Sequence, residues 1–93
     1  MADAEKKNFV FDDGDDETFD ITFDREITGW TIYFDLFATD ISREITSHDN
    51  DETSFTLSDT ETEDLDGNYN YEMRYTTNAG NDETFLKGVM TWV

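Results

Sequence analysis

The sequence predicts an all-β domain, a two-sheet sandwich of about seven short antiparallel strands with one short helical turn. Three observations predict it. Apolar side chains recur at every second position in several runs, clusters of turn-forming residues separate those runs, and a helical period is nowhere sustained. An open barrel is the runner-up arrangement of the same strands.

The elements follow in chain order. Residues 1–7 read as a flexible leader and 8–93 as the sandwich domain, whose first strand covers about 8–12. In the second, 17–24, Phe19, Ile21 and Phe23 share one face and Thr18, Asp20 and Thr22 the other, the pattern of a half-buried strand. A central strand over 29–38 sets Trp30, Ile32, Phe34 and Leu36 against Thr31, Tyr33, Asp35 and Phe37. Strands over 41–47 and 53–58 follow, the latter carrying Phe55 and Leu57. Ser58-Asp59-Thr60-Glu61 has the spacing of a capping box, so one helical turn is expected from about Asp59 to Asp64, leading into Leu65 as a core plug. Tyr69, Tyr71, Met73 and Tyr75 alternate through a strand over 68–77, and the last strand covers 84–92.

Turns are marked by Asp12-Asp13-Gly14-Asp15-Asp16, His48-Asp49-Asn50-Asp51, Asp66-Gly67-Asn68 and Asn78-Ala79-Gly80-Asn81-Asp82. An acidic phrase recurs after three of them: DETF at Asp16 to Phe19, DETSF at Asp51 to Phe55, and DETF at Asp82 to Phe85. Its intervals are unequal and its flanks differ, which disfavours a solenoid repeat. It reads as a strand-entry device, with Asp and Glu ending the turn, Thr opening the strand and Phe first to face the core.

Twenty-four acidic against six basic side chains leave a net charge of -18. A compact state so charged repels itself in dilute buffer. In about 1 M salt the Debye length falls to about 3 Å and separated carboxylates scarcely interact. The composition therefore predicts a protein adapted to brine. Low hydropathy with high charge also marks disordered tails, but the ordered alternation of eight Phe, four Tyr and two Trp argues for folding. Cysteine is absent, so disulfides and thiolate chemistry are excluded. MADAEKKNFV lacks the apolar segment of a secretion signal, and no run reaches membrane-spanning length, so an intracellular product with no membrane partner is expected. Arg25, Arg43 and Arg74 are dispersed, which argues against nucleic acid as a partner.

Acidic turns supply the hard oxygen ligands that calcium prefers. The best loop, Thr62 to Gly67, matches an EF-hand at its third, fifth and sixth positions, but Thr62 replaces the first Asp and Met73 the bidentate Glu. Asp12 to Glu17 and Asp49 to Glu52 are weaker candidates, and a hydrated acidic surface explains them all. No metal or cofactor is predicted. The sole histidine, His48, lies in a polar run and reads as an exposed loop residue, and a base, nucleophile and enclosing pocket do not converge, so no enzyme is expected. A host calcium-binding protein or a DNA mimic remains the alternative from a different class. Mimicry of a phosphate backbone, however, relies on attraction that brine screens. Apolar residues on the solvent face, Phe37 and Tyr33, and a C-terminal run apolar on both sides, Val89 to Val93, mark candidate contacts. Phe9, Phe37, Trp92 and Val93 are the predicted partner-binding residues.

Several longer phrases, FDDGDDETFDITF, REITGWTIYFDLF, SFTLSDTETEDLDGNYNYEMRY and FLKGVMTWV, together resemble the N-terminal immunoglobulin-like domain of phage baseplate upper proteins, and the small stand-alone versions of it in tailed viruses. The likeness runs from about Phe9 to Val93. It is sharpest at Ile27-Thr28-Gly29-Trp30, at Gly67-x-Tyr69-x-Tyr71-Glu72, and at Lys87-Gly88-Val89. The resemblance implies an immunoglobulin-like sandwich acting as a virion structural protein, assembled in the host cytoplasm. Its implied partners are other virion proteins, either major capsid or tail proteins, together with copies of itself. Acidic residues replace the family's Lys and Arg, which suits a haloarchaeal host, and no coiled-coil or receptor-binding segment follows. That turns the expectation toward a capsid decoration, turret or connector module, with a tail or baseplate module as the alternative.

Overall fold

The computed structural model describes residues 5–12 and 16–93. Its strands are β1 (Glu5–Lys6), β2 (Phe9–Phe11), β3 (Glu17–Thr22), β4 (Thr31–Leu36), β5 (Ser42–Ile45), β6 (Glu52–Leu57), β7 (Gly67–Thr76) and β8 (Asp82–Trp92), with α1 (Asp59–Thr62) between β6 and β7. One sheet runs β1-β8-β7-β4-β5, with β2 following β1 along the same side of β8; the other is the hairpin-like pair β3-β6. The order is that of an immunoglobulin-like sandwich, with β8-β7-β4 extended by β5 in one layer and β3-β6 in the facing one. The predicted all-β sandwich is thus the observed fold.

Alternation creates the core. Trp30, Ile32, Phe34 and Leu36 from β4 and its approach, Tyr71, Met73 and Tyr75 from β7, and Phe19, Phe55 and Leu57 from the facing layer are all buried. Phe34 bridges the layers, with ring centroids 4.9 Å from Phe55, 6.2 Å from Tyr71 and 6.5 Å from Phe19. At one end a smaller cluster gathers Ile27, Trp30, Ile32 and Tyr75, backed by Phe23 and Phe85. The cap of α1 forms as expected: Ser58 Oγ accepts from the Glu61 backbone N–H while the Glu61 carboxylate accepts from the Ser58 N–H. Leu65 packs onto the larger cluster. Tyr69 completes the turn into β7, its hydroxyl donating to the Asp66 carbonyl at 3.4 Å and accepting from the Asp66 N–H at 3.3 Å. That is the tyrosine corner of immunoglobulin-like folds, found two residues before a core position.

The structure corrects three expectations. The strands are not all antiparallel, because β1 and β2 run parallel to β8, pairing Lys6 with Lys87 and Phe9 to Phe11 with Met90 to Trp92. Glu5 and Lys6, expected in a flexible leader, are therefore a paired strand. Threonine does not open the strands after the acidic phrases. Glu17, Glu52 and Asp82 do, and Thr53 is itself buried beside Phe55. Residues 13–15 of the first turn lie outside the described residues.

Strand β8 is also irregular. Arg74 pairs with Thr84 but Met73 with Leu86, so Phe85 is an extra residue in a bulge. The bulge shifts the alternation by one, letting Phe85 serve the small cluster while Leu86, Met90 and Trp92 face the large one.

Lys7 and Asn8, between β1 and β2, cross directly over Gly88. A Cβ on Gly88 would lie 2.1 Å from the Lys7 carbonyl oxygen. That carbonyl accepts from the Tyr71 hydroxyl at 2.6 Å, the Lys7 N–H donates to the Lys87 carbonyl at 2.9 Å, and the Val89 N–H donates to Asn8 Oδ1 at 3.0 Å. Gly88→Ala is expected to cost about 3 kcal/mol, since the backbone of Lys7 must lift and take these bonds with it. Denaturant titration at constant high salt measures it, and a cost below about 0.5 kcal/mol would show that the crossing is not tight.

Candidate binding surface

The four residues predicted to meet a partner separate into two kinds. Phe37 and Val93 are exposed, at 48% and 63%. Trp92 is only 2% exposed and belongs to the core, and Phe9 packs onto it against Phe11, Phe19 and Tyr71, so neither side chain faces a partner. The reason is register. Parallel pairing puts Phe9 beside Met90 and Phe11 beside Trp92, all on the inner face, and leaves Val10 outward at 71% exposure. Val10 was legible as the middle of the alternating triplet Phe9-Val10-Phe11, once the orientation of that strand is known. Tyr33 does face outward, but the Arg74 guanidinium lies over its ring at 4.1 Å.

The outer face of the larger sheet holds a shallow depression of about 430 Å³, bounded by Lys6 and Asn8 on one side and Phe37 on the other. Its floor is crossed by Asn70, Glu72, Lys87 and Val89. Cross-strand pairing aligns Lys6, Lys87, Glu72, Asp35 and Ser42 in a single row. The neighbouring row carries Arg74, Tyr33 and Glu44. Three of the six basic residues therefore share this face. By contrast, the outward positions of β3 and β6 are Thr18, Asp20, Thr22, Glu52, Ser54 and Thr56, with no cation among them.

His48 is not the exposed loop residue expected. It is half-buried, with Nε2 2.8 Å from the Trp30 carbonyl and Nδ1 2.9 Å from Thr53 Oγ1. The carbonyl can only accept, so Nε2 carries a proton and His48 ties the entry of β4 to β6. Both ring nitrogens are thereby engaged. The acidic turn Asp49 to Glu52 is closed by reciprocal backbone bonds at 2.9 Å, and its Asn50 and Asp51 carbonyls accept from Ile27 and Phe23. Among the described residues, no group of three or more His, Asp or Glu is disposed to hold a metal ion. Arg43 pairs with Glu61, and Arg25 with Asp24 at 3.4 Å; among the described residues these are the ion pairs. The backbone N–H of Ser58, more than Arg43, holds the Glu61 carboxyl below its usual range.

Two tyrosines move the other way. Burial pushes the Tyr71 hydroxyl up to about 12, with the Glu5 carboxylate adding to it. Tyr75 is raised chiefly by its hydrogen bond to Glu83. A tyrosine whose folded pKa lies above the unfolded value of 10.0 contributes stability that is complete below pH 10.0 and lost as the pH climbs toward about 12. Stability is expected to fall across that window, and Tyr71→Phe to flatten the fall, with Tyr75 sustaining what remains. Urea midpoints at a series of alkaline pH values check this. An equally steep decline in the variant would place the titrating group elsewhere.

No protein-family model matches the chain, and neither does any curated protein. The fold and surface themselves define the class: an immunoglobulin-like β-sandwich with a carboxylate-rich exterior and one outer sheet face of mixed charge bearing exposed apolar side chains.

Proposed function

We propose that this chain is a non-enzymatic virion structural protein of a halophilic tailed virus, a capsid decoration, turret or connector module that binds neighbouring virion proteins. The observation that carries the reading is the placement of exposed Val10, Phe37 and Val93 on the outer face and edge of the larger sheet, within a surface otherwise dominated by carboxylates. In a chain of net charge -18, apolar side chains left in water are the natural points of contact with a partner. The carboxylates keep the assembly hydrated in brine. Polar groups that catalysis could use, such as His48, are engaged in internal bonds instead. The sequence phrases that resemble those of virion immunoglobulin-like domains support the viral assignment. Symmetric particles repeat such modules, so many copies and contacts between copies accompany the reading.

Quantitative mass spectrometry of purified virions tests it. Hundreds of copies per particle are expected for a capsid decoration, and a handful would move the module to a connector or to the tail and baseplate. Absence from the particle overturns the proposal.

A further inference from the structure

We propose that the outer face of the β1-β8-β7-β4-β5 sheet is a self-association surface on which a second copy of this chain docks about a twofold axis running along the strands, between β7 and β8. The inference rests on reading the protein as a binding module, and it names one partner of that module. Charge is its first support. Lys6, Lys87 and Arg74 point outward here against Glu72, Asp35, Glu44 and Asp82, three cations and four carboxylates, so the face carries about one net negative charge in a chain of -18. Brine screens the approach of two such chains, but charges buried in direct contact are screened much less, so the face best suited to contact is one whose local charge is near zero and can be paired.

The order of those charges supplies the second support. Across the sheet the central row reads Lys6, Lys87, Glu72, Asp35, which is two cations followed by two anions. A twofold axis between β7 and β8 reverses the row in the second copy. Lys87 of each chain then meets Glu72 of the other, and Lys6 meets Asp35, giving four opposite-charge pairs and no like-charge pair in that row. An axis across the strands would instead set Lys87 against Lys87 and Glu72 against Glu72, which selects the first orientation.

The apolar groups follow the same symmetry. Beside the charged row lie Asn8, Val89, Asn70 and Phe37, linked by the Val89 N–H to Asn8 Oδ1 bond and the Phe37 N–H to Asn70 carbonyl bond at 2.9 Å. Reversal carries Phe37 of one copy to the Asn8 rim of the other's depression, and Val89 onto Asn70. The half-exposed Phe37 ring thus meets the opposite edge of the same depression in the other copy, a self-complementary contact as an isologous interface requires.

Sedimentation equilibrium of the purified chain in molar KCl, over a concentration series, is the test. Wild type is expected to show a reversible monomer–dimer equilibrium. Lys87→Glu and Glu72→Lys, each a like-charge clash with its own copy, are expected to weaken it about tenfold or more. Phe37→Asp is expected to do the same, and circular dichroism verifies that each variant keeps its β structure. Mixing Lys87→Glu with Glu72→Lys restores complementary pairs, so a heterodimer should form from two poorly associating chains. That recovery cannot come from repaired folding. A wild type that stays monomeric at every concentration overturns the proposal, as does a dimer indifferent to all three substitutions or a mixture that fails to associate. The measurement uses no virion, so it can fail while the copy-number test succeeds, and the reverse.

Discussion

Truncating Phe34 to alanine is expected to lower stability by about 3 to 5 kcal/mol. Phe34 is fully buried and touches aromatic partners in both layers, Tyr71 on its own sheet and Phe19 and Phe55 on the other. Those partners sit on strands fixed by ladder hydrogen bonds, so they cannot collapse into the vacated space. A domain of this size holds about 5 to 15 kcal/mol in total, and the variant should be close to unfolding. Urea titration in concentrated KCl gives the value directly. Ile21→Ala, at a half-buried site on the same cluster, is expected to cost clearly less. Equal losses at the two positions would mean that the layers are not joined through Phe34.

The second large effect is that of salt. In about 10 mM salt the Debye length is about 30 Å, and at 1 M about 3 Å. The first exceeds the 13.5 Å radius of gyration and approaches the 38 Å longest dimension, so in dilute buffer nearly every carboxylate senses every other. Only Glu61 and Asp24, among the described residues, have a cationic partner within ion-pair distance. Circular dichroism is expected to show little β structure in dilute buffer and a cooperative gain as KCl rises into the molar range. The Trp30 and Trp92 fluorescence should shift to the blue in the same interval, since both indoles are buried in the folded chain. A chain fully folded at 10 mM salt would refute the adaptation to brine on which the halophilic assignment depends.

How far the sequence reveals this molecule depends on the distance over which each feature is determined. β4 was legible because its signal is local: four buried residues at period two, bounded by Gly29 and the turn after Leu36. The α1 cap was legible for the same reason, being contained within four residues. The bulge at Phe85 was not, because Phe85 and Leu86 side by side look like a faulty alternation until β7 supplies the register. Nor was β1, whose Glu5 and Lys6 carry no strand signal of their own. They are held by the β8 backbone and by the crossing that Gly88 allows.

The candidate surface was half legible. Phe37 is outward because it follows the inward Leu36 at the end of β4, and Val93 because it follows the inward Trp92. The inward placement of Trp92 and Phe9 is hidden in the sequence, since a run apolar on both sides does not disclose which side is inner. Only the parallel pairing of β2 with β8 decides that. The charged row has a similar origin. Lys6, Asp35, Glu72 and Lys87 are far apart along the chain and become a pattern only through three separate strand registers.

Parallel pairing of β1 and β2 with β8 also bears on how the domain answers to mechanical force. Glu5 lies beside Leu86 while Phe11 lies beside Trp92, so a tether at Glu5 and another at Val93 pull from opposite ends of the same edge. Tension then shears the hydrogen bonds donated by the Lys7, Val89 and Val93 N–H groups together instead of peeling them one after another. A domain pulled at these two ends would yield abruptly at a high load, and the rest of the sheet would stay intact until this seam gave way.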